Sequence, residues 1–217
     1  MYLAGSVVGV DKMNIDEALI KLNTLLPLAE RQQALSPAEK KIHQSILQDF
    51  VTTGAAGSEY DSNSLEILRK NDLIVLDAES GEVTGAYPFS SKSTPHHVFM
   101  NDFIVYAMCA LDAIAIAPVF NQTTSIKSLC HITKDTIEIK QTGKEINNEH
   151  ECKDVHVGIR WQDAGSCAAE SLCLEMVFLK NQNTAEDWLN RGHDKSIFNL
   201  ADSIEFATRY FSPLIEN

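Results

Sequence analysis

The chain has 217 residues, a formal net charge of −12 and five cysteines, and 44% of its residues are hydrophobic. That length and apolar fraction suit one large domain or two small ones with a real core, and exclude a disordered chain. Both halves carry more acid than base, which argues against phosphate-driven nucleic-acid binding and against an anionic membrane surface as partner.

At the start, Val7, Val8 and Val10 lead into Asp11 without a basic region, so no signal peptide is expected. Residues 13–33 read as one helix, with Ile15, Leu19, Leu22, Leu25 and Leu26 forming its apolar stripe. Ser36-Pro37-Ala38-Glu39 is a capped helix start, followed by Ile42, Ile46, Leu47 and Phe50 on one face and ended by Gly54 and Gly57. A short helix at Ser62–Lys70, a strand at Leu73–Leu76, a turn and a strand at Val83–Tyr87 give the order of a winged helix. The helix that would enter a DNA groove carries Asp61, Glu66, Arg69, Lys70 and Asp72. That face is mixed, so a scaffold role is expected rather than DNA binding. Residues 1–90 are thus expected to form an N-terminal helical winged-helix-like domain.

Pro88–Pro95 reads as a link to a second unit, residues 91–217, expected as an α+β core with small antiparallel sheets packed by helices. Its expected strands are His97–Met100, Thr124–Leu129, Thr136–Gln141, Val155–Arg160 and Leu172–Lys180. Its expected helices are Ala107–Ala117, Thr184–Arg191 and Asn199–Phe211, with Thr184 to Asp187 as a capping arrangement. Phe103 to Phe120 is an apolar run of 18 residues with a single charge, Asp112. An Asp at mid-span costs about 2.5–3.5 kcal/mol on insertion scales, and Pro118 interrupts a helix. A strand running into a buried helix is expected there rather than a membrane span. No Gly-rich phosphate loop occurs, so nucleotide chemistry has no support.

The cysteines are Cys109, Cys130, Cys152, Cys167 and Cys173. An odd number fits a disulfide framework badly, and the reducing cytoplasm is the simplest home. Cys109 and Asp112 are three apart, which on a helix puts both on one face. A carboxylate there can accept a thiol proton, and burial among Ala110, Leu111, Ala113 and Ile114 should raise its pKa. The plainer reading is a small buried Cys beside an Asp bonded to backbone amides. Cys130-His131 and the trio His150, Cys152 and His156 are further metal donors, but no Cys-x-x-Cys occurs and structural zinc is not expected. His96-His97 reads as a link or strand end. Hydrolysis by a Cys–His pair would need an imidazole beside Cys109, which sequence alone does not place.

Tyr106-Ala107-Met108-Cys109-Ala110-Leu111-Asp112 resembles the reactive segment of alkylmercury lyases, also called organomercurial lyases. The resemblance continues through Cys130, resumes at Leu172-Cys173 and runs into Thr184-Ala185-Glu186-Asp187-Trp188. It covers residues 98–188, while the N-terminal likeness is one of layout. The resemblance implies a two-thiol, one-carboxylate site. Cys109 would be the first mercury-binding cysteine, Asp112 the proton-handling acid that also faces the metal, Cys173 the second mercury-binding cysteine and Cys130 a structural one. Family members cleave the carbon–mercury bond of a small organomercurial by protonolysis, giving a hydrocarbon and Hg(II). They are cytosolic and need no bound cofactor. External thiols accept the Hg(II), and a thiol carrier or mercuric reductase would be the partner that receives it.

The chemistry agrees with the residues, because soft mercury prefers thiolates and the leaving carbon needs a proton that a shielded carboxyl can supply. Trp188 would bury apolar area behind the site. There are departures from the pattern. Met108 stands where some relatives carry Trp, Leu174 stands where some carry another Cys, and Cys130–Lys134 lacks a Gly found in some. Cys152 and Cys167 lie outside the matched positions. A non-catalytic binder of a thiophilic metal or organometal on the same fold remains the alternative.

Overall fold

A computed structural model describes residues 13–216, so the reading of Val7 to Asp11 lies outside the described residues. The N-terminal helices are α1 (Ile15–Leu25), α2 (Leu28–Gln33), α3 (Pro37–Thr53) and α4 (Ser62–Lys70). Strands β1 (Ile74–Leu76), β2 (Val83–Ala86), β3 (Phe89–Ser90), β4 (His97–Met100) and β5 (Phe103–Ala107) lead into helix α5 (Ala110–Val119). Then come β6 (Thr123–Leu129), β7 (Thr136–Thr142), β8 (Glu145–Ile146), α6 (Glu149–Cys152) and β9 (His156–Arg160). The chain closes with β10 (Met176–Leu179), α7 (Gln182–Asn190), β11 (Lys195–Asn199) and α8 (Leu200–Phe211).

The class is α+β, with two antiparallel sheets. One runs β1-β2-β3-β5-β4-β6-β7-β8, and the other is β10-β9-β11. The antiparallel sheets expected are present, and in the first of them β3 bridges the two halves of the chain. Phe89 pairs with Ala107 and Ser90 with Tyr106, so hydrogen bonding is continuous across position 90. One apolar core also draws on both halves, from Leu22, Phe50 and Phe89 to Ile114, Ile159 and Phe206.

Local chemistry explains most boundaries. Ser36 accepts from the Glu39 N–H while the Glu39 carboxylate accepts from the Ser36 N–H, which starts α3 as expected. Gly54 ends α3 at φ 83°, a left-handed conformation that glycine adopts without a Cβ penalty. The single helix expected at 13–33 is two. Pro27 disfavours helical geometry at Leu26 and takes the cap of α2, so the chain turns between them. Thr184 does not cap α7, which begins two residues earlier. Asn181 is the cap, and the Thr184 hydroxyl accepts from the Asn181 N–H at 3.0 Å. The expected strand Leu172–Lys180 shortens to β10, because residues 172–175 form a tight 3₁₀ turn. Strands β3, β8 and β11 and the short helix α6 fall where none was expected.

Phe103 to Phe120 divides into strand β5 and the buried helix α5. Among the described residues no helix is long and apolar enough to cross a membrane. Pro118 sits inside α5 rather than ending it at Ala117. Proline has no N–H for the Ile114 carbonyl four residues back. The buried Gln141 of β7 donates to that carbonyl at 3.2 Å instead. A polar side chain from the sheet therefore keeps the central helix intact, and α5 lies against α8, β5, β6, β7 and β10.

Candidate active site

Helix α5 is buried along most of its length, and Asp112 lies in its first turn. Cys109 is its N-cap, with extended backbone, and its Sγ accepts the Asp112 N–H at 3.3 Å. The two residues therefore meet as cap and first turn, not as neighbours on one helical face. The correction has a physical cause: strand β5 runs to Ala107, so Cys109 still belongs to the turn into the helix.

The 3₁₀ turn at Leu172–Glu175 brings Cys173 to the same point. One ligand atom each from Cys109, Asp112 and Cys173 lies within 4.8 Å of the others, and all three residues are buried. The other donors singled out in the sequence do not join them. Cys130 is buried beside His131 near the neighbouring cavity, Cys152 lies on α6, and the His156 ring bonds the Asp154 carbonyl at 2.8 Å. Cys109, Asp112 and Cys173 are the one such three-donor group among the described residues.

Burial sets the electrostatics. It pushes the Asp112 carboxyl up to about 7, against a smaller pull downward from Cys109. One carboxyl oxygen, Oδ2, is buried without a hydrogen-bond partner. That oxygen is left unsatisfied while the Cys109 backbone still bonds the carboxyl, which favours the protonated form. Burial also drives the Cys109 thiol well above its ordinary range, helped by Cys173 and the Asp112 charge. Contact with Cys109 lowers the Cys173 thiol, but burial and the charges of Asp112, Asp72 and Cys167 outweigh it, so it too is raised. Both thiols are therefore held in their proton-bearing form, with the Asp112 carboxyl near balance at neutral pH.

A cavity of about 440 Å³ adjoins the cluster, lined by His96, Met108, Cys130, Cys173, Met176 and Phe178 among others. Cys173 borders it; Cys109 and Asp112 lie behind the lining. Met108 packs over Gly85, where a Cβ would come within 2.5 Å of its terminal methyl, so glycine makes room for the side chain. Leu174 is 63% exposed at the rim. A thiol at that position would face the opening rather than the buried cluster.

Sequence reasoning missed what holds the Cys173 turn. Asp72, in a left-handed conformation at φ 50°, is buried between α4 and β1. Its Oδ2 accepts from Arg31 at 3.1 Å and from the Ala168 N–H at 3.2 Å, and its Oδ1 accepts from the Tyr87 hydroxyl at 3.0 Å. The Tyr87 oxygen in turn accepts the Ala169 N–H at 3.0 Å. Helix α2, the β1–β3 region and the loop before Cys173 are thus tied at one carboxylate. These partners lie up to 96 residues apart, so no local pattern announces them.

An α+β core that encloses two thiols and a carboxyl beside an apolar cavity defines the class of protein. Comparison with known proteins supplies the family. A sequence model of the alkylmercury lyase family (MerB) matches residues 89–212, and the chain belongs to that family and is an enzyme of that class. An alkylmercury lyase of Bacillus cereus is 27% identical over 168 residues, which is 76% of this chain and 74% of its own length. One from Clostridium butyricum matches to the same extent. One from Staphylococcus epidermidis is 26% identical over 140 residues, 64% of this chain and 63% of its own. In fold, the chain is similar to the mercury-bound form of MerB2, with a TM-score of 0.73, 16% identity, and coverage of 88% of this chain and 98% of that one.

Proposed function

We propose that the protein cleaves the carbon–mercury bond of a small organomercurial by protonolysis. The observation that carries the reading is the convergence of Cys109, Asp112 and Cys173 within 4.8 Å in a chain of the alkylmercury lyase family. Cys109 exchanges its proton for the R–Hg⁺ group, forming a sulfur–mercury bond as the previous ligand departs. Asp112 accepts the Cys173 proton, and the freed Cys173 thiolate bonds mercury as a second soft donor. Added electron density at mercury weakens its bond to carbon. Asp112 then returns the proton to carbon, which takes the bonding electron pair and leaves as hydrocarbon. Hg(II) stays on two thiolates, with Asp112 again a carboxylate. A carboxyl near 7 suits both halves of this exchange at neutral pH, since it gives and takes a proton at similar cost.

The reading needs no resident cofactor. External thiols remove the Hg(II), and a thiol carrier or mercuric reductase is the fitting acceptor. Five free cysteines support a cytoplasmic home, where thiols stay reduced. Helices α3 and α4 with the β1–β2 hairpin serve as a winged-helix-like scaffold without nucleic acid. Arg69 and Lys70 of α4 lie by Glu66, at 2.7 and 3.7 Å, rather than forming a basic surface.

The test is incubation of pure protein with an organomercurial and excess thiol. Hydrocarbon and inorganic mercury should form well above the level given by Cys109→Ser. Equal release from both proteins overturns the reading. Tight Hg(II) retention without hydrocarbon would instead make the protein a binder.

A further inference from the structure

The buried cluster contains a third sulfur. Met176 begins β10, directly after the 3₁₀ turn that carries Cys173. Its Sδ lies 3.6 Å from the Cys109 Sγ and accepts that thiol's hydrogen bond. Met176 is buried, and it lines the same cavity as Cys173, while Cys109 does not reach the lining. Cys109 thus lies behind a lining to which Cys173 and Met176 each contribute a sulfur, and the Met176 sulfur is in direct contact with it. Packing alone would be served by leucine. A thioether adds a soft, uncharged donor that needs no deprotonation, unlike either thiol.

We propose that the Met176 thioether is a third sulfur ligand to mercury. It takes the metal as it passes from the cavity to Cys109 and stays in contact with the Hg(II) left on the two cysteines. The proposal rests on the carbon–mercury reading above. Before capture, the thioether holds the Cys109 thiol by its hydrogen bond. Once the thiol gives up its proton to bind mercury, that hydrogen bond is gone and the Sδ lone pairs face the metal. Cys109, Cys173 and Met176 then surround one soft ion, and Asp112 keeps its oxygen for the proton.

The experiment uses full-length protein labelled with selenomethionine and loaded with Hg(II), read at the selenium absorption edge. Hydrocarbon release from an organomercurial is measured on the same preparation. A selenium–mercury contact is expected in the parent protein and in Met108→Leu, and should vanish in Met176→Leu. Met176→Leu should also hold Hg(II) more weakly than the parent protein. A parent protein that binds Hg(II) through its cysteines without a selenium–mercury contact overturns the assignment, as does a contact that persists in Met176→Leu. If hydrocarbon forms and the contact is missing, only the Met176 assignment falls. If the contact forms and no hydrocarbon does, the ligand stands and the cleavage reading falls. Failure to retain any Hg(II) removes both.

Discussion

Asp112 bears the sharpest conflict between stability and use. Its folded pKa lies near 7, above the ordinary value of 3.8. Its stabilising effect is therefore complete below about pH 4 and is lost as pH rises through 7. At ~1.4 kcal/mol for each pKa unit, the effect is on the order of 4 kcal/mol. Asp112→Asn, which stays neutral, should gain stability over the parent between pH 4 and 8, as read by urea unfolding across that range. It should still capture mercury but lose most turnover. Equal loss of capture and turnover would mean that the carboxyl holds the fold rather than the proton. Asp72 shares the upward push of burial, but its partners Arg31, Tyr87 and the Ala168 amide oppose it, and its charge reaches Cys173. Asp72→Ala leaves Arg31, Tyr87 and the Ala168 amide without their acceptor, at a cost of about 3 kcal/mol. Hg(II) titration should then show binding weakened through Cys173 while Cys109 remains able to hold one thiolate bond.

Among the elements, β9 and α7 depend on one close fit. A Cβ on Gly158 would lie 2.8 Å from the Trp188 ring and 2.9 Å from Leu179, so the indole rests directly on bare backbone. Lys195 covers the same ring at 4.3 Å. Trp188→Ala should lower stability by about 3–5 kcal/mol, and Gly158→Ala by about 1–3 kcal/mol, in thermal or urea unfolding. Neither should abolish hydrocarbon release at temperatures where the protein stays folded, because both act behind β9 and not at the thiols. The helices with strong caps and stripes, α3, α4 and α8, were legible from sequence, and so were the alternating strands β4, β6 and β7. Strands β3 and β11 were not, because a two-residue bridge and a half-exposed edge acquire strand geometry from their partners. Cys109, Asp112 and Cys173 could be named from residue chemistry and local strings. Met176 and Asp72 could not, because their roles arise from contacts across the fold, 67 residues in one case and 96 in the other.

For the molecule as a whole, acid is the expected weakness. His43, buried against Gln32 at 2.8 Å, and His96, bonded to Ser128 at 2.8 Å, are both pushed down by burial from 6.5 to about 4. The unfolded chain binds these protons first. The histidine contribution is therefore complete above about pH 6.5 and is lost as pH falls toward 4, on the order of 3 kcal/mol for each ring. Asp112 works in the other direction with a similar magnitude, so the two histidines together outweigh it. Unfolding midpoints should fall between pH 6.5 and 4, and His43→Gln should flatten that slope. A flat profile in the parent protein would mean that the rings are not held neutral.

The enclosed, proton-bearing thiols also determine how the protein ages. Peroxide and disulfides attack thiolates that they can reach. At rest both cluster thiols are held protonated and Cys109 is shut off from the cavity, whereas Cys167 is the most exposed of the five although burial raises its thiol too. Access favours Cys167 for oxidative damage and thiolate character favours Cys130 on the cavity wall, and peptide mapping after peroxide treatment should find both ahead of Cys109 and Cys173. On the proposed reading, the two cluster sulfurs stay in reserve until a soft metal displaces their protons.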